Sequence, residues 1–207
     1  MSPLETLGFA LGTSFASGLN LYATVAAAGL FDRLGIINLP APLQVLSHPV
    51  VLGVAAALFV IEFVADKIPY VDSVWDAVHT FIRPPAAALL SYSAFAGGVP
   101  EQWKIGAALL AGTVALTSHG AKATTRAATN VSPEPVSNWT LSLAEDSLAV
   151  FLAWLAVAHP IIAALLVVVL VILAVLLIWR LFRFFRQVVG RFGRRTSGAE
   201  PTPSSPP

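Results

Sequence analysis

The stretch Glu62 to Arg83 reads E-F-V-A-D-K-I-P-Y-V-D-S-V-W-D-A-V-H-T-F-I-R and follows an uncharged run, Pro49 to Ile61. Into the end of that run the chain places Glu62, Asp66 and Lys67, and soon after them Asp72, Asp76, His79 and Arg83. Only 11% of the chain is charged, so this crowding has to be explained. Glu62 and Asp66 are four apart and share a helical face. A carboxylate in hydrocarbon costs at least about 2.5–3.5 kcal/mol on insertion scales, so each must meet a cation, water or a proton.

Composition sets the surroundings. The 207 residues are 57% hydrophobic with a mean hydropathy of +0.78, whereas soluble domains are about 45–50% apolar and about 25% charged. Several runs approach the roughly 20 residues a helix needs to cross a bilayer. The ten-residue alternation of a membrane β-barrel is not present. The expected fold is all-α, a polytopic transmembrane helix bundle of about six spans. With no cysteine, disulfides and thiolate chemistry are excluded. The first charge is Glu5, with no basic segment before it, so the first helix reads as retained rather than as a cleaved signal.

In chain order, the expected spans are Leu7 to Phe31, Pro49 to Lys67, Pro85 to Gly98, Trp103 to His119, Leu143 to His159 and Pro160 to Trp179. Span one carries Ser17, Asn20 and Thr24 on one face, together with small residues that allow close helix contact. Between spans two and three, Asp72, Asp76, His79 and Arg83 recur at i, i+4, i+7 and i+11. That spacing predicts an amphipathic interfacial helix over 71–83, its polar stripe facing water. Past span four, His119, Lys122 and Arg126 form another one-face stripe. Span six has no charge and reads as lipid-facing. Residues 1–186 make the membrane domain. Residues 187–207 are a basic, then Ser/Pro-rich tail with too little to bury to fold.

With six spans, ten of the twelve Lys and Arg residues fall on the side of both termini, leaving Arg33 and Lys104 opposite. The positive-inside rule then puts both termini in the cytoplasm of a bacterial inner membrane. A faint symmetry links Pro40-Ala41-Pro42 with Pro133-Glu134-Pro135, each between a polar-faced span and an acid-bearing one. That pattern suggests two inverted three-span halves.

The motif E-F-V-A-D-K-I-P-x-x-D-x-x-W-D-x-x-H-T-x-x-R-P resembles a family of small bacterial integral-membrane proteins known only as a domain of unknown function. N-x-S-P-E-P-x-S-N and the following Glu145-Asp146 pair belong to the same resemblance, which spans roughly residues 8 to 160. It implies a helical inner-membrane protein and no activity. Glu62-x-x-x-Asp66-Lys67 is also similar to the E-x-G-D-K motif of cation–proton exchangers, with the spacing off by one and the glycine missing.

The expected site is a cytoplasm-facing polar cavity built from Glu62, Asp66, Lys67, Asp72, Asp76, His79, Arg83, His119, Lys122, Arg126, Glu145 and Asp146. It would serve a small solute or ion transporter. In the other reading the acids pair with Lys122 or Arg126 across helices and lock a non-transporting scaffold or lipid-interacting protein. His119, Lys122 and Arg126, with Ser118 and Thr125, would alternatively hold an anionic head group. Asn130, Ser132, Asn138 and Thr140 read as loop caps. No catalytic motif is present: no G-x-S-x-G, H-E-x-x-H, phosphate loop or dinucleotide fingerprint. An enzyme is not expected, nor a cofactor, and no metal is specified. The Arg/Phe run from Arg180 to Arg195 reads as an anchor to anionic lipid, with no nucleic-acid role.

Overall fold

The computed structural model describes residues 1–68, 70–95, 99–130 and 135–196, with side chains as far as 187 except that of Pro135. Among the described residues there are eight α-helices, one 3-10 helix and no strand. Ser132 and Pro133-Glu134 lie outside the described residues, as do the side chains of Arg191, Arg194 and Arg195 and everything past 196.

Helix α1 (Pro3–Leu19) starts at a capping box: Ser2 accepts from the Glu5 amide while the Glu5 carboxylate takes the Ser2 amide. Two orphan donors are thereby satisfied. From Gly12 to Leu19 every residue of α1 is buried, and α5, α6, α7 and α8 pack around it. That central place depends on small residues. A Cβ added to Gly8 would meet the Pro160 carbonyl, one on Gly12 would meet Ala156 at 2.6 Å, and one on Gly18 would strike Ser118 Oγ and the Ala115 carbonyl.

The expected first span is not one helix. It breaks at Asn20, which is extended (φ −150°, ψ 105°) and fully buried, and α2 (Leu21–Arg33) begins directly after it. The Asn20 side chain accepts from the Ala23 amide, a standard N-cap bond. The directions of the two helices follow from their neighbours. Along α1, Gly8 lies at Pro160, Gly12 at Ala156 and Gly18 at Ser118. Along α2, Tyr22 lies at His79 and Gly29 at Leu46 and Leu52. The loop after α2 then returns to the start of α1, where Pro3, Thr6, Leu39 and Pro40 line one cavity of about 480 Å³ with Phe95. The two helices therefore form a V with its apex at Asn20 and both open ends on the same side.

The loop turns at Gly35, whose φ of +70° favours glycine. Asp32 holds it, accepting from the Leu39 amide at 2.7 Å and from the Ser47 hydroxyl. A 3-10 helix (Ala41–Ser47) leads at a 65° bend into α3 (Pro49–Ala65). Helix α4 (Val71–His79) is short, and Arg83 opens α5 (Arg83–Ala94) instead of closing α4. The predicted single helix over 71–83 is thus two helices joined by a turn at Thr80–Ile82. The third span starts at Arg83 and its described helix ends at Ala94, while Ala96 to Gly98 lie outside the described residues.

Helix α6 (Glu101–Thr129) is continuous, as expected from its stripe, and about 43 Å long. Helix α7 (Pro135–Ala158) and α8 (Pro160–Thr196) complete the chain. Among the described residues, two helices are long and apolar enough to cross a membrane: Val136–Ala158 and Pro160–Gln187. The bent pair ending at Ala65 makes a third if counted as one span. Most of the apolar part of α8 is left uncovered by the rest of the protein, which agrees with a lipid-facing helix. The suggested inverted repeat finds no support, because α6 is unbroken where its counterpart, the first span, is split.

Candidate functional site

Helix α4 is inside out relative to a soluble helix. Its polar stripe, expected to face water, is the buried face: Asp72 is 0% exposed, Asp76 3%, His79 2%, and Arg83 just beyond is 0%. Its apolar residues face outward, with Val74 67% and Val78 53% exposed. Periodicity shows which residues share a face. The solvent decides which face turns in, and in lipid the ionisable groups turn toward the bundle.

The acids and bases meet at one end of the bundle. Glu62 near the end of α3 accepts from Arg83 Nη2 at 2.6 Å and from Lys122 Nζ at 3.3 Å. Asp66 accepts from Lys122 at 2.8 Å and from Arg126 Nη2 at 3.2 Å, while its own carbonyl accepts from Arg126 Nη1 at 2.6 Å. Glu145 on α7 takes Arg126 at 2.7 Å, with Lys122 at 3.8 Å. The four helices α3, α5, α6 and α7 are thereby tied through one ion-paired chain.

The apex of the V enters this network. Helix α1 ends with free carbonyls and no basic residue in its last turn. Arg83 Nη1 donates to the Gly18 carbonyl at 2.8 Å and Lys122 Nζ to the Leu19 carbonyl at 3.2 Å. Two cations from distant helices thus cap the negative end of α1. Asn20 Nδ2 donates to Asp146 Oδ1 at 2.8 Å, which fixes the other side of the break.

The two histidines link side chains and carbonyls from several helices. His119 Nδ1 accepts from Arg83 at 2.8 Å, and its Nε2 donates toward the Asp76 carbonyl at 3.0 Å and Thr80 Oγ1 at 2.9 Å. His79 Nδ1 donates to the Trp75 carbonyl at 2.8 Å, and its Nε2 accepts from Tyr22 at 3.0 Å. Trp75 also stacks on His79, with ring centroids 4.6 Å apart. Asp72 stands at the edge of the network, where Asn130 Nδ2 reaches both its oxygens at 3.0 and 2.9 Å. Asn138 in turn donates to Asn130 at 3.0 Å. The two asparagines at the ends of N-x-S-P-E-P-x-S-N therefore hold an acid of the first motif, beyond the capping role expected of them. Thr140 bonds within its own helix.

Eleven of the twelve expected residues are buried, and Lys67 is half-buried. Its ammonium donates to the Phe63 carbonyl and to Ser142 Oγ and lies 3.0 Å from the centre of the Phe63 ring. The expected open cavity is a closed contact at Glu62 and Asp66, which are 0% and 1% exposed. The head-group reading of His119, Lys122 and Arg126 is not favoured, since the two bases are paired with acids. Ser118 and Thr125 bond to their own helix. Among the described residues, no group of three histidines or acids is arranged to hold a metal ion.

The charge count is uneven. Glu62, Asp66, Asp72, Asp76, Glu145 and Asp146 are all buried, against three fully buried cations, Arg83, Lys122 and Arg126. Several carboxylate oxygens lack a hydrogen-bond partner among the described residues: Glu62 Oε2, Asp66 Oδ1, Asp146 Oδ2 and both of Asp76. For Asp76 the nearest cation is Arg83 at 3.7 Å.

Sequence reading missed Gly18, Tyr22 and Thr80 as members of the site, and it placed Asn20 in a packing stripe. A signal for Asn20 was present. An asparagine is a preferred helix start, and a glycine two residues earlier marks a close approach.

Together these features define an all-helical protein with apolar helices of membrane-spanning length and an internal ion-paired network. The chain belongs to the family DUF4126, a domain of unknown function, which matches residues 7–180. No curated protein and no solved structure matches it.

Proposed function

We propose that this is a small inner-membrane transporter of ions or small solutes, described here in a closed state. The observation that carries this reading is the break at Asn20. A helix interrupted within a bundle, its last carbonyls held by buried cations, is similar to the broken helices from which many transporters build their binding sites. A purely structural network would have no need of more acids than bases. The excess carboxylates call for protons or cations, because an uncompensated charge is too costly in a dry interior.

The same geometry suggests a revised topology. The V of α1 and α2 enters and leaves on one side, and α3, α5, α6, α7 and α8 cross. The N-terminus then lies opposite the C-terminus rather than beside it. The charged end remains cytoplasmic, since no Lys or Arg precedes Arg33 and the positive-inside count does not depend on the N-terminus. Arg83, Lys122 and Arg126 are buried partners of acids and carry no weight in that count. Lys67 and the Arg180–Arg195 segment do, and the latter supports contact with anionic lipid.

Glu62→Gln tests the reading in reconstituted vesicles. The expected result is at least a tenfold loss of flux for the transported species. Equal flux for every candidate ion would remove Glu62 from the pathway, and absence of flux in wild-type vesicles would remove transport altogether.

The second reading, a scaffold locked by its charges, is favoured by the full burial of Glu62, Arg83 and Asp66. It expects the exchange Asp66→Lys with Lys122→Asp to regain much of the stability that either change alone removes. No recovery in the exchanged variant would count against it.

A further inference from the structure

A groove of about 520 Å³ runs between α2, α3 and α7, outside the ion-paired core. Phe31, Phe59, Phe63, Phe151 and Trp154 make most of its wall, and among the described residues Asp146 is the one charged residue that lines it. Such a lining is unusual for a surface in contact with acyl chains, because aliphatic tails need neither aromatic faces nor a carboxylate.

Three observations give the groove a chemistry. Asp146 is 6% exposed, and its Oδ2 has no hydrogen-bond partner. Its Oδ1 is taken by Asn20, and Oδ2, itself covered, carries charge that no donor among the described residues meets. One ring of the wall already meets a cation: the Lys67 ammonium, which does not itself line the groove, lies 3.0 Å from the Phe63 ring centre. Aromatic faces attract cations through the ring quadrupole, and more strongly away from water. A buried carboxylate with one oxygen unpaired, set beside aromatic rings, is the complement of a positive charge on an apolar body.

We propose that this groove binds a lipophilic organic cation, its charge at Asp146 and its apolar body against the Phe and Trp rings. The proposal rests on the transport reading and names its substrate class. It also supplies a route from ligand to mechanism. A cation in the groove, drawn toward the Asp146 carboxylate, pulls against the Asn20 bond on Oδ1, and Asn20 is the residue that separates α1 from α2. Occupancy of the groove therefore bears on the apex of the V, and through the Gly18 and Leu19 carbonyls on Arg83 and Lys122.

Equilibrium binding of radiolabelled tetraphenylphosphonium to the purified full-length protein in detergent is the test, with tetraphenylborate, an anion of the same shape, as competitor. Wild type is expected to bind saturably at one site per chain. Asp146→Asn and, separately, the groove-filling Val150→Trp should each weaken binding at least tenfold, and tetraphenylborate should not compete. Leu109→Ala, on the exposed face of α6 and outside the groove lining, serves as the control and should bind as wild type does. The assignment is overturned if wild type shows no saturable binding, if both groove variants bind as wild type does, or if the borate displaces the phosphonium. Binding is read without a gradient, so its failure is distinct from failure of transport. Flux of another ion with no phosphonium binding removes the substrate class alone. Phosphonium binding with no flux of any species removes transport and leaves the site.

Discussion

Arg83→Gln is expected to lower the unfolding free energy by about 3–5 kcal/mol, the range for removing one partner of a buried ion pair. The magnitude follows from what would be stranded. Arg83 is fully buried and ties Glu62, the Gly18 carbonyl and His119 together. It is also the cation nearest to Asp76, whose two oxygens have no other partner. Glutamine reaches less far and carries no charge, so at least one acid would have to take up a proton or draw in water. Unfolding in mixed micelles, followed by helical circular dichroism, measures the loss. The double variant Glu62→Gln with Arg83→Gln should cost less than the sum of its parts, since it leaves one unpaired charge fewer. A loss below about 1 kcal/mol in the single variant would show that the pair is not buried as described.

Gly18→Val is the second large effect. Any Cβ at this position meets Ser118 Oγ and the Ala115 carbonyl. The hydroxyl can move, but the carbonyl belongs to α6 and cannot move without that helix. Overpacking of this kind typically costs about 1–3 kcal/mol. The true cost is expected at or above the top of that range, because parting α1 from α6 also lengthens the Lys122 bond to Leu19 and the Arg83 bond to Gly18. Ser118→Gly added to Gly18→Val should recover only part of the stability. Thermal unfolding in detergent checks both variants. Full recovery by the second change would mean that the backbone of α6 is not in the way, and wild-type stability in Gly18→Val would dissolve the close crossing altogether.

Both predictions concern contacts that no local pattern announces. The spacing of Asp72, Asp76, His79 and Arg83 correctly placed them on one stripe, yet its expected environment was reversed. An amphipathic pattern has no inside or outside until the solvent is known, and this helix turns its valines outward. The same stripe also ran through a break, because side chains at the end of α4 and the start of α5 can keep helical spacing across a single turn. At the first span the run of apolar residues was real but its continuity was not. Asn20 is polar enough to stop a helix and short enough to start the next, and which it does depends on whether partners wait for the freed groups. Here Asp146, Arg83 and Lys122 do, all of them more than 60 positions away in the chain.

The sequence by itself determined the helical class and the set of residues that had to find one another. Composition and the cost of a charge in hydrocarbon are properties of the chain alone, and they demanded that acids and bases converge. Only the tertiary structure decided that they converge as a sealed ion-paired network, that the first span folds back at Asn20, and that Asn20 holds one oxygen of Asp146. Those outcomes depend on which helices can approach closely. Closeness is set by small residues meeting across the bundle, as Gly18 meets Ala115 and Ser118, and a linear pattern does not record which surfaces will touch.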